Sequence, residues 1–195
     1  MHYAEYMPIL SPPDKVNEQV KHFKSVCTDR IGDFKSRQSK AHITIPFDEN
    51  RQKVFIAEPA IDRMEKRLNT IAPITLHING FDIFPNHVSG NTIYAAFDMD
   101  DRTKNWFRLL LKEMQLSKRT LTPHLTIARG LTDNQLKEVW PYFMKQKFSI
   151  KFEVTEMLML KRWIFEADSS WKVYKRIQFL NQFTTSAQIN NPTLF

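Results

Sequence analysis

Cysteine is nearly missing from this 195-residue chain, with Cys27 the single one. An intrachain disulfide and a cysteine-rich zinc site are thereby excluded, and a reducing compartment is favoured. Glycine is scarce as well, at four residues, and no glycine-rich phosphate loop occurs. No stretch of about 18 apolar residues is found, so no membrane span is expected. The N-terminus shows no basic stretch ahead of an apolar signal core, and the expected location is the cytoplasm. Blocks of like charge are missing too. The 28 Lys+Arg outnumber the 21 Asp+Glu to give +7, but they are scattered along the chain. A surplus of that size favours a polyanionic partner such as nucleic acid or a nucleotide.

What is present reads as a soluble globular protein, 42% hydrophobic and 25% charged. Tyr3 to Leu10 has the pattern of a short strand. Val16, Val20, Phe23 and Cys27 recur at helical steps after Pro13. A helix is expected over Glu58 to Ile71, stopped by Pro73, and then a half-buried strand from Ile74 to Gly80. The pattern then starts again. A strand spans Thr92 to Asp98 and a helix Asp101 to Leu116. Another helix follows Thr132-Asp133, carrying Leu136, Val139, Trp140, Phe143 and Met144, and a strand runs from Phe148 to Val154. Two further strands, Met157 to Phe165 and Trp171 to Leu180, are joined by a turn near Ala167 to Ser170. We expect one bilobal α+β domain over 1–181, with lobes of roughly 1–90 and 91–181 able to exchange strands. A mobile tail is expected over 182–195.

Within each half sits the same phrase: Ala41-His42-Ile43-Thr44-Ile45-Pro46-Phe47, and Pro123-His124-Leu125-Thr126-Ile127-Ala128-Arg129, 82 positions further on. Strand alternation puts His42 beside Thr44, and His124 beside Thr126, with the aliphatic residues turned to the core. Each copy lies third in an order of strand, helix, His-Thr strand, helix, strand. A single copy is cheap, because threonine favours sheets anyway. A matched pair suggests chemistry. Attack on a phosphodiester needs a base for the nucleophile and an acid for the leaving oxygen, and imidazole serves either role near neutrality. Threonine hydroxyls on the same faces can hold the non-bridging oxygens.

The paired phrases resemble the 2H phosphoesterase superfamily, and the chain is most similar to its 2′-5′ RNA ligase and RNA cyclic-phosphodiesterase branch. Phe47, Phe84-Pro85, Pro123 and Arg129 match that branch, and the likeness covers roughly residues 3 to 165. The resemblance implies an α+β fold of two pseudo-symmetric lobes, each an antiparallel sheet with flanking helices around a central cleft. It implies His42 and His124 as the acid/base pair, Thr44 and Thr126 as phosphate ligands, and neither metal nor cofactor. RNA ends or small nucleotides with 2′,3′-cyclic phosphates or 2′-5′ linkages would be the substrates, and some members also join RNA ends. The chain departs from the branch at Pro46 and at Asp48-Glu49, where a Leu-Gly is common.

A module that holds RNA or nucleotides without turnover is the alternative. Arg129, Phe47 and Phe84 are candidate substrate contacts. Alternation places Arg129 opposite in parity to His124, on the side of a strand cap or an acid partner. His77 reads as a solvated strand residue. Tyr3, Tyr6, Phe84, Trp163 and Trp171 could stack on a base but read first as core. Neither phrase offers the third ligand of a catalytic zinc, and no obligate protein partner is evident.

Overall fold

The computed structural model describes residues 2–48, 51–86, 88–165 and 169–182. Among the described residues nine strands form two antiparallel sheets. The first is ordered β2-β1-β8-β9, from β1 (Tyr3–Leu10), β2 (Ile43–Thr44), β8 (Glu156–Trp163) and β9 (Lys172–Gln178), with β3 (Gln52–Lys53) also on β1. The second is ordered β6-β5-β4-β7, from β4 (Ile74–Phe84), β5 (Asn91–Phe97), β6 (His124–Leu131) and β7 (Ser149–Val154). This is the expected α+β architecture of two sheets with flanking helices. Strands from the two ends of the chain share the first sheet, through six residue pairs from Ala4↔Trp163 to Ile9↔Leu158.

Helices α1 (Asp14–Ile31) and α4 (Asp133–Phe143) pack on each other and on β6, while α2 (Val54–Leu68) lies against β9 and α3 (Asp101–Glu113). The starts of α3 and α4 follow from side-chain caps. Asp100 accepts the Thr103 amide, and Thr132 with Gln135 forms a capping box, so orphan first-turn donors are satisfied. Helix α1 ends at Gly32, which takes the left-handed φ of 72°. Between α1, α4 and the second sheet, Phe81 lies 4.8 Å from both Phe23 and Phe143, with Phe148 beside them. Trp106 donates its indole N–H to the Ala72 carbonyl at 2.8 Å.

Several boundaries differ from expectation. Helix α2 begins one turn earlier, because buried Ala57 extends the Ile61, Met64, Leu68 stripe. Pro59 is therefore tolerated inside it at the loss of one backbone bond. The helix closes at Leu68, and Ile71 is held in the following turn. Strand β2 contributes two residues, since it sits at a sheet edge beside Pro46, which has no N–H to donate. Strand β4 runs on past Gly80, which takes φ +80°. The turn expected near Ala167 falls partly, and the tail beyond Gln182 wholly, outside the described residues, as does His87.

Candidate active site

Each phrase is mounted by its aliphatic residues. Ile43 and Ile45 are buried at 1% exposure on one side, Leu125 and Ile127 fully on the other, which leaves His42, Thr44, His124 and Thr126 directed away from the core. Strands β2 and β6, one from each sheet, come together. His42 feels the charge of His124, so the two imidazoles share one region.

The two rings are oriented by the same device. His42 Nδ1 lies 2.8 Å from the Lys40 carbonyl, and His124 Nδ1 lies 2.8 Å from the Thr122 carbonyl. A carbonyl can only accept, so Nδ1 carries the proton in both neutral rings and the lone pair is on Nε2. Burial holds the pKa of both histidines below the ordinary value, against the carbonyl bonds, which raise it. Around His42 the positive charges of Lys24, His124 and Arg129 push further in the same direction. Among the described residues neither threonine hydroxyl has a hydrogen-bond partner. Two Nε2 atoms and two hydroxyls thus form a set able to exchange protons and to hold anionic oxygens.

Two β-bulges decide what else reaches this face. At Gly80 the pairing steps from Ile78↔Phe97 to Phe81↔Ala95, which places one extra residue in β4. Asp82 and Phe84 are thereby turned to the face of Tyr94 and His124, and Phe81 is turned to the core. Phe84 stacks on Tyr94 at 4.0 Å and meets the His124 ring edge-on at 4.9 Å, so its expected core role is corrected. Tyr94 donates to Asp82 at 3.2 Å, and burial with that carboxylate pushes its pKa up to about 12. In β6 the pairing steps from Tyr94↔Thr126 to Ile93↔Ala128, leaving Ile127 extra. This reverses the parity expected of Arg129. Its side chain joins the face of His124 and Thr126 and, with Lys35 and Phe84, lines a cleft of about 280 Å³.

Phe47 lines a second cleft of about 260 Å³ with Thr44, Tyr6 and Trp171. Tyr6 is otherwise core, its hydroxyl 3.4 Å from Glu58. Trp163 lies under Lys161, and Trp171 under Arg162 at 4.6 Å. His77, two strands from His124, is engaged at both nitrogens, by Asp98 at 2.5 Å and Ser149 at 2.8 Å. Among the described residues no three His, Cys, Asp or Glu side chains converge to hold a metal, and no helix is long and apolar enough to cross a membrane. Lys24 and Ser36, in the wall behind His42, escaped the sequence reading. The signal for Lys24 was a lysine in the apolar register of Val20 and Cys27.

The family model of the 2′-5′ RNA ligase superfamily matches residues 12–163. Escherichia coli LigT, crystallised with 3′-AMP, is similar in structure at TM-score 0.66 and 13% identity, over 90% of this chain and 98% of that one. TT0787 of Thermus thermophilus is similar at TM-score 0.63 and 14% identity, over 92% and 98%. At such identities the likeness is one of fold. No curated protein sequence matches the chain.

Proposed function

The chain belongs to the 2′-5′ RNA ligase superfamily, and from that premise we propose that it is a metal-independent phosphodiesterase of 2′,3′-cyclic phosphate or 2′-5′-linked RNA and nucleotide ends. The observation that carries this reading is the pair of equal Nδ1–carbonyl bonds, which present an Nε2 lone pair from each half of the molecule. One imidazole takes a proton from water as its oxygen attacks phosphorus. The other, entering as imidazolium, gives its proton to the departing ribose oxygen. Thr44 and Thr126 donate to the non-bridging oxygens and keep the phosphate in line. Lys24 and Arg129 add positive charge around His42, which favours its neutral form. Either imidazole can supply the base in hydrolysis and the other the acid. Run in reverse with an RNA hydroxyl as nucleophile, the same set would join ends. Phe84 flanks His124, Arg129 lines the cleft beside Phe84, and Phe47 flanks Thr44, as contacts for the rest of the nucleotide. The 3′-AMP bound in the LigT crystal is a ligand of the chemical class proposed here.

The test is incubation with nucleoside 2′,3′-cyclic phosphates and 2′-5′ dinucleotides, with products identified by mass. Turnover should persist in EDTA and fall by about 10²- to 10⁴-fold in His42→Ala and in His124→Ala. Wild-type rates in either variant would remove the acid/base assignment. Salt-sensitive RNA binding with no product from the wild type would favour the binding module suggested by the +7 charge.

A further inference from the structure

Among the described residues Lys24 is the only charged side chain that is fully buried, at 4% exposure, alongside the polar Ser36, Asn91 and Thr103. A buried ammonium is costly unless its donors are all met. Here all three are. Lys24 Nζ donates to the Ser36 carbonyl at 2.6 Å, the Ser39 carbonyl at 2.8 Å and the Ser39 hydroxyl at 2.9 Å. The Ser39 hydroxyl in turn donates to the Ser36 carbonyl at 2.8 Å. The lysine thus gathers the loop between α1 and β2 around one charge. One residue beyond Ser39 is Lys40, whose carbonyl orients the His42 ring.

The same loop is tied to the other sheet. Ser36 Oγ donates to the Ile127 carbonyl at 3.4 Å and accepts the Arg129 amide at 3.1 Å. Both partners lie at the β6 bulge, directly after Thr126. A continuous run of hydrogen bonds therefore connects α1, the His42 loop and the strand that carries His124.

We infer that Lys24 is a positioning residue for the site, its buried ammonium clamping residues 36–40 so that the Lys40 carbonyl orients His42 while Ser36 ties that loop to β6. The role in turnover rests on the phosphodiesterase reading, whereas the geometry it imposes on the ring does not. The charged and titratable neighbours are the Cys27 thiol on α1, Arg129 on β6, and His42 itself. Burial lowers the Lys24 pKa to about 8, with Cys27 opposing the shift and Arg129 adding to it. The clamp is thus mostly charged at pH 7 and loses its third donor as pH rises through about 8.

The deciding measurement is long-range ¹⁵N NMR of the histidine rings in the wild type, Lys24→Met and Ser39→Ala, with no substrate present. The wild type should show the Nδ1–H tautomer at His42 and at His124. In Lys24→Met, His42 should lose that single tautomer and titrate at higher pH, while His124 keeps its signature, since Thr122 still holds it. Ser39→Ala should loosen the single His42 tautomer in the same way by less, and that readout decides the matter alone if Lys24→Met does not fold. With an active wild type, kcat of Lys24→Met should fall by about a hundredfold with KM little changed. A folded Lys24→Met with an unaltered His42 overturns the inference, as does an equal change at both rings, or an unaltered His42 in Ser39→Ala where Lys24→Met is unfolded. If no protein turns over any substrate, the phosphodiesterase reading fails, and the ring spectra still decide the clamp.

Discussion

The two His-Thr phrases are nearly the same in sequence and are mounted in opposite ways. His124 opens an eight-residue strand paired along β5, and its ring is walled by Phe84 and Tyr94 at 4.9 and 5.4 Å. His42 precedes a two-residue edge strand, and what steadies it is a polar loop gathered around Lys24. One mount is aromatic and apolar, the other ionic. Both end in the same 2.8 Å bond from Nδ1 to the carbonyl two residues back. The lesson is that the repeated phrase encodes ring orientation locally, through its own backbone, while rigidity is supplied by whatever each sheet provides.

Beyond the histidines themselves, the largest effect expected of a test of this equivalence comes from the threonines. Thr44→Ala and Thr126→Ala should each lower kcat by about a hundredfold, the usual loss for one donor to a developing oxyanion. Steady-state kinetics of the two variants would break the comparison if they differed by more than tenfold. Smaller and one-sided is Phe84→Ala. It removes the stack on Tyr94, worth about 1 kcal/mol beyond packing, and opens the wall of His124. The His124 pKa should rise toward its ordinary value, because burial is what depresses it, while that of His42 stays put. Titration by NMR reads both at once, and a matching rise at His42 would contradict separate mounts.

The gentlest probe is pH. Both folded imidazoles prefer the neutral form, so the unfolded chain binds more protons once pH drops below about 6.5. Stability should therefore be fully present above that value and decline as pH falls through it toward the depressed folded values. Urea unfolding between about pH 5 and pH 8 follows the slope, and His42→Ala and His124→Ala should each flatten it. An unchanged slope in one variant would identify the mount that does not depress its ring.

Much of this molecule was legible without coordinates, for reasons tied to particular residues. Val16, Val20, Phe23 and Cys27 form the buried stripe of α1, and Ile74, Leu76 and Ile78 the buried side of β4, because periodicity reports burial wherever one face is covered. Thr132 opened α4 as a cap residue should. Where the reading went astray, a non-local contact had overridden a local rule. Alternation along β6 turns Arg129 away from His124, and the alternation of β4 continued past Gly80 would turn Phe84 inward. One extra residue at Gly80 and another at Ile127 reverse both, and a bulge is visible only against the partner strand. Lys24 escaped because a lysine in an apolar register has no meaning until the carbonyls that receive it are in place.

The sequence by itself determined the paired imidazoles and hydroxyls, the alternation that turns them to one side of each strand, and the caps and apolar stripes that place the helices. Those depend on neighbours a few residues away, through backbone geometry that any chain shares. Tertiary structure decided that β1 pairs with β8, that β2 meets β6, and that Phe84, Arg129 and the Lys24 loop close around the site. Those depend on partners as far apart as Ala4 and Trp163, joined by ladders and buried polar bonds whose register no local pattern contains.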